Sequence, residues 1–163
     1  MRKLAFLAPL GFALAMAASA QAQTTSVTVA IGPELQRDPD SLGDREVREQ
    51  ADRLAAVVVR ALDRRDALEG ARINLVLTDL KPNRPTFQQM AHRPGLDGQR
   101  SVSIGGAAIE GEIITADGQR IPVRYDWYSN NIAEVHGFTT WQDAERAYSR
   151  FAGALAAGRY STR

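Results

Sequence analysis

The period at which apolar residues recur changes several times along the chain, and each change marks an element. Val27, Val29 and Ile31 alternate with Thr28 and Ala30, a period of two that predicts a first strand with one buried face. Gly32-Pro33 ends it. After a loop over 33–43 rich in Pro, Asp and Gly, Val47, Ala51, Leu54, Val58, Ala61 and Leu62 recur at spacings of three and four, the stripe of an amphipathic helix. Arg45, Arg48, Glu49, Asp52, Arg53 and Arg60 fall mostly off that stripe and read as its solvated face. Ser41-Leu42-Gly43-Asp44 has the hydroxyl-to-carboxylate spacing of a capping box. Ile73, Leu75 and Leu77 then return to period two, a second strand.

Residues 79–100 hold three prolines and two glycines and predict a long irregular loop, with Phe87 and Met90 as apolar groups able to pin it. A hairpin follows. Its first arm, about 101–115, carries Val102, Ile104, Ile109, Ile113 and Ile114, interrupted by Gly105-Gly106, which predicts a bulge or a close backbone approach. Asp117-Gly118 supplies the turn. The return arm places Ile121, Val123, Tyr125 and Trp127 on one face and Arg124 and Asp126 on the other. Pro122 has no N–H for a ladder and predicts an edge strand. Residues 132–138 fit either a short strand or an extended loop. Thr140-Trp141-Gln142-Asp143 is a second capping-box pattern, followed by the helical stripe Trp141, Ala144, Ala147, Tyr148, Phe151, Ala152 and Leu155. The order β-α-β-β-β-α predicts an α+β two-layer sandwich: a four-stranded mixed sheet with two helices on one face, an ordered core over about 26–157 within one domain spanning 23–163.

The first 22 residues fit a different pattern. Arg2 and Lys3 precede an apolar run from Leu4 to Ala17, and Ala18-Ser19-Ala20 and Ala20-Gln21-Ala22 are both small-x-small cleavage sites, the second slightly better placed, so residues 1–22 are expected to be a secretory signal peptide. The run is shorter than the roughly 20 residues of a spanning helix, and the chain is expected not to span a membrane after cleavage. The whole chain has 20 Lys+Arg against 19 Asp+Glu; without Arg2 and Lys3 the balance is 18 against 19. A near-neutral domain gives no electrostatic case for nucleic acid. The chain has no cysteine, which excludes disulfides, thiolate chemistry and the lipid-attachment site of an anchored envelope protein. A periplasmic or secreted location is the expectation.

Three segments carry a resemblance: Leu75-Val-Leu-Thr-Asp-Leu-Lys-Pro-Asn-Arg-Pro-Thr86, Val102-Ser-Ile-Gly-Gly-Ala-Ala-Ile-Glu-Gly-Glu-Ile113 and Thr140-Trp-Gln-Asp-Ala-Glu-Arg-Ala-Tyr-Ser-Arg-Phe-Ala152. Their order and spacing resemble an uncharacterised family of bacterial envelope proteins, a domain of unknown function with many members held to be lipoproteins. The resemblance implies an envelope location and this fold, and no chemistry. The missing cysteine departs from the family's lipid-anchored form.

Few residues propose chemistry. His92 and His136 sit in irregular segments without metal-ligand spacing, so neither a metal nor another cofactor is expected. No Gly-x-Ser-x-Gly elbow flags Ser101, Ser103 or Ser129 as a nucleophile. Glu110 and Glu112 share a strand face, as paired acid–base carboxylates would, but the alternation turns both to water. Tyr125, Trp127, Trp141, Tyr148 and Phe151 read as core between hairpin and last helix, whereas Tyr128 is out of phase and suited to an exposed role. The stretch 81–100 concentrates Arg84, Phe87, Gln88, Met90 and Arg93, a mixture of cationic, amide and apolar groups suited to recognition. The expectation is a non-enzymatic binding or interaction module of the envelope. Its candidate contacts are Arg84, Phe87, Gln88, Met90, Arg93 and Tyr128, and its partner is an envelope protein or an anionic envelope component. The alternatives are an envelope enzyme using His92 or Glu110/Glu112, and a carrier of a small apolar ligand.

Overall fold

A computed structural model describes residues 24–37, 42–135 and 138–160. The signal-peptide expectation over 1–22, Ser41 and His136 fall outside these residues. The elements are β1 (Ser26–Ile31), α1 (Pro33–Arg37), α2 (Asp44–Asp63), β2 (Arg72–Lys81), α3 (Phe87–His92), β3 (Gly106–Ile114), β4 (Arg120–Tyr128), a 3-10 turn (Ile132–Val135) and α4 (Gln142–Leu155). The protein is an α+β fold in the predicted order, with α1 and α3 as added short helices.

The sheet runs β1-β2-β3-β4, with β1 parallel to β2 and the other pairs antiparallel. The parallel pair needs a crossover, and α2 supplies it. Period two decides which residues enter the core: Ile73, Leu75, Leu77, Ile109, Ile113, Val123 and Tyr125 are buried, and α2 answers with Val47, Leu54, Val58 and Leu62. From α4 come Ala144, Ala147, Tyr148, Phe151 and Leu155. The Tyr125 and Phe151 rings meet at 5.5 Å, so the C-terminal aromatics are mainly core. Each large apolar side chain so buried stabilises the fold by roughly 1.5–3 kcal/mol. Trp127 is half-buried beneath the Arg150 guanidinium, 4.5 Å from its ring.

The opposite face of the sheet is polar. Glu112 pairs there with Arg120 at 3.0 Å and Glu110 with Arg124 at 3.5 Å. The hairpin turns at Asp117-Gly118, where Gly118 takes φ +86° and Thr115 N–H donates to the Gln119 carbonyl at 3.0 Å. Pro122 does lie on an edge strand, β4.

Local structure refines the expectations at several places. The strand of the first hairpin arm begins at Gly106, leaving Val102 and Ile104 outside it. The irregularity in the ladder falls in β2 between Leu77 and Asp79, while Gly105-Gly106 shows the close backbone approach, a Cβ on Gly106 running into the Trp127 carbonyl. The residue before α2 is Gly43, with no side-chain cap, and the capping-box expectation for Ser41 lies outside the described residues. Likewise α4 starts after Trp141 with no side-chain cap, because Asp143 is turned to another task.

Candidate binding groove

Both long helices start, and both parallel strands end, at one end of the sheet. The segments 82–105, with 129–135 and 138–141, gather there. The first of these is not a loop throughout. The sequence Thr86-Phe87-Gln88-Gln89 closes a full capping box, with Gln89 N–H donating to Thr86 Oγ1 and Thr86 N–H to Gln89 Oε1, each at 3.1 Å. The hydroxyl-to-amide spacing was legible in the sequence, but the surrounding prolines masked it.

A buried polar latch holds this segment to α4. Asn83 and Asp143 are both fully buried. Asn83 Nδ2 donates to Asp143 Oδ2 at 2.6 Å and to the Ser103 carbonyl at 3.2 Å, while Asp143 N–H donates back to Asn83 Oδ1 at 2.8 Å. Asn83 N–H donates to the Thr140 carbonyl at 2.7 Å, and its own carbonyl accepts from Ser103 N–H at 2.9 Å. Asp143 Oδ1 accepts from Arg146 at 3.2 Å. Every polar group of Asn83 is therefore partnered, which removes the cost of burying it. Gly105 is explained here: a Cβ would lie 2.9 Å from the Asn83 amide and from the Lys81 carbonyl, so the glycine serves a close approach.

Beside the latch opens a groove of about 330 Å³. Its apolar lining comes from Pro82, Pro85, Leu96, Val102 and Ile104, and its charge from Lys81, Arg84 and Arg93, with no acidic side chain in the lining. Lys81 is partly neutralised by Asp79 at 3.7 Å, and its ammonium sits 4.7 Å from the Tyr128 ring centre. Arg84 is committed along one side: Nε donates to the Phe138 carbonyl at 2.6 Å, and Nη1 to the carbonyls of Gly98 at 3.1 Å and Gln99 at 2.5 Å. It is a strut of the groove wall as well as a cation in it. Arg93 is exposed. Ser103 directs its N–H to Asn83, and among the described residues the N–H groups of Val102 and Ile104 have no backbone partner.

The six candidate contacts do not converge. Arg84 and Arg93 line the groove. Phe87 is 78% exposed and lies outside the lining, two residues along α3 from the groove-lining Gln89 and so on another face of the helix. Gln88 bonds His92 at 2.9 Å and packs under Gly43, and Met90 packs beside Gly98. Tyr128 is half-buried rather than exposed: its hydroxyl donates to Asp79 Oδ2 at 2.6 Å, and burial, then that carboxylate, holds its pKa well above the ordinary tyrosine range. Sequence reasoning missed Leu96, Val102 and Ile104 as groove residues, because Val102 and Ile104 read as strand core. The hydrogen bonds from Arg100 and Gln99 N–H lower the pKa of Asp97, which pins the far wall.

The residues of the catalytic alternatives are placed apart. His92 is exposed on α3, while Glu110 and Glu112 lie on the polar sheet face, each beside its own guanidinium. Among the described residues no helix is long and apolar enough to cross a membrane. Compared with known proteins, the chain matches no family model and no curated sequence.

Proposed function

We propose that this protein is an exported interaction module of the bacterial envelope, and that its groove captures an extended, acidic segment of a partner protein. The observation that carries the reading is the groove's lining: Lys81, Arg84 and Arg93 around an apolar floor, without a carboxylate among them. An acidic partner finds complementary potential there, which favours fast and selective encounter. The backbone N–H groups of Val102 and Ile104 suit an extended peptide, which carries carbonyls at regular spacing. The latch keeps the groove formed before binding, so little ordering entropy opposes capture. Export rests on residues 1–22 and on the resemblance to envelope proteins. N-terminal sequencing of the protein from a periplasmic fraction is expected to begin at Gln23.

The binding test is fluorescence anisotropy with labelled peptides of alternating Glu and Leu, alternating Lys and Leu, and with anionic phosphatidylglycerol vesicles. The acidic peptide is expected to bind, to weaken with added salt, and to lose at least about tenfold in affinity in Arg93→Glu, a change of roughly 1.4 kcal/mol. Equal affinity for both peptides, or binding to the vesicles alone, sinks the reading; the latter makes the ligand a lipid headgroup.

A further inference from the structure

The two edges of the sheet are treated very differently. At β4, Pro122 has no N–H to offer, and Arg124 N–H, which points outward, is already bonded to the Tyr160 carbonyl at 3.2 Å. Arg120, Arg124 and Asp126 add charge along the same strand. Proline, charge and a covering segment are the devices by which proteins block strand addition. The β4 edge near Pro122 is therefore poorly suited to adding a further strand.

Among the described residues β1, Ser-Val-Thr-Val-Ala-Ile, carries neither proline nor charge, and the side chain of Gln36 covers only its last carbonyl. Ser26 and, just past the strand, Gly32 direct their N–H groups inward, to the carbonyls of Ala71 at 3.0 Å and Leu77 at 2.8 Å. By alternation Val27, Val29 and Ile31 direct theirs away from the sheet, where β1 is the last strand among the described residues. Of the outward groups, the Ile31 carbonyl accepts from Gln36 Nε2 at 2.6 Å. The side chains of Val27, Val29 and Ile31 are only half-buried, and Leu35 beside them likewise.

We propose that β1 is a dimerisation edge: two copies pair their β1 strands antiparallel about a two-fold axis through Val29, joining two four-stranded sheets into one. The strand suits itself as partner. Antiparallel pairing must match outward-facing residues with outward-facing residues, which are the odd positions here. Centring on Val29 sets Val27 against Ile31 of the second copy and Val29 against its own equivalent, covering apolar side chains on the helix-bearing face. On the open face it sets Thr28 against Ala30, small against small. An uncharged strand pairs with its copy without the repulsion that any charged position on the axis would bring. This edge is separate from the groove, and the inference does not rest on the function proposed above.

The chain has no cysteine, so single-cysteine variants report cleanly. Residues facing each other in a hydrogen-bonded antiparallel pair have Cα atoms about 5.5 Å apart, within the span of a disulfide. The mature protein is expected to sediment as a dimer at micromolar concentration. Val29→Cys is expected to form a covalent dimer on mild oxidation, and Arg124→Cys on β4 is not. Val29→Pro removes only an outward N–H and is expected to give a monomer with unchanged circular dichroism. Three outcomes overturn the inference: a monomeric wild type with no excess crosslinking of Val29→Cys, a dimer that survives Val29→Pro, and a monomer that takes up a synthetic Ser-Val-Thr-Val-Ala-Ile peptide in place of a second copy.

Discussion

The body of the molecule and the end that carries the groove are held together by opposite means. In the body, period-two strands and period-3.6 helices meet face to face, and apolar burial does nearly all the work: Leu54, Leu75, Ile109, Tyr148 and Phe151 are almost wholly removed from water. At the groove end, few large apolar groups are buried, and order comes from directed bonds: the Asn83–Asp143 latch, the Arg84 strut and the Thr86 capping box. The difference teaches that a proline-rich stretch without apolar periodicity is not thereby mobile. A single buried, fully partnered amide can stand where a cluster of leucines would otherwise be needed.

The comparison can be broken at either region. The largest effect is expected in the body: Phe151→Ala removes a buried ring from between α4 and the hairpin and is expected to cost about 3–5 kcal/mol, read as a fall in the midpoint of chemical unfolding. Next comes Asn83→Ala, which leaves Asp143 buried with Arg146 as its main side-chain partner. A loss of about 1–3 kcal/mol is expected, and hydrogen exchange should rise over 82–105 while the strands of the body keep their protection. If exchange rises uniformly instead, the latch is part of the body and the contrast fails.

The smallest effect sharpens the boundary between the two. Glu46, in the first turn of α2, has its pKa raised by burial, against hydrogen bonds from Phe87 N–H and the Trp141 indole that lower it. A carboxylate with a raised folded-state pKa contributes most below its unfolded pKa, and that contribution is lost as pH rises through the folded value. Glu46→Gln is therefore expected to melt slightly higher than wild type near neutral pH, with the difference vanishing in acid. A variant that melts lower at neutral pH would mean that the ionised carboxylate's bonds outweigh its desolvation.

The legible part of this protein is periodic. The stripe of α2 is buried at each position the spacing names, from Val47 to Leu62, and the alternation of β2 and β4 sorts core from surface in the same way. The illegible part is where one residue's role is set by a distant one. Thr140 and Asp143 have capping-box spacing, yet the carboxylate leaves its own helix for an amide sixty residues away. Val102 and Ile104 have strand spacing, yet Ser103 between them is bonded to Asn83 and to the Pro82 carbonyl, and both line the groove instead.

The sequence by itself determined the elements and the faces they bury, because period and turn chemistry act over a few residues and need no knowledge of partners. Only the tertiary structure decided that the Arg124 N–H at the β4 edge meets the Tyr160 carbonyl, that Arg84 is tied to three carbonyls while Arg93 is exposed, and that Gly105 admits an amide. Those are matters of which distant groups meet at close range, and hydrogen bonding at that range depends on how the elements pack, not on the order in which they are written.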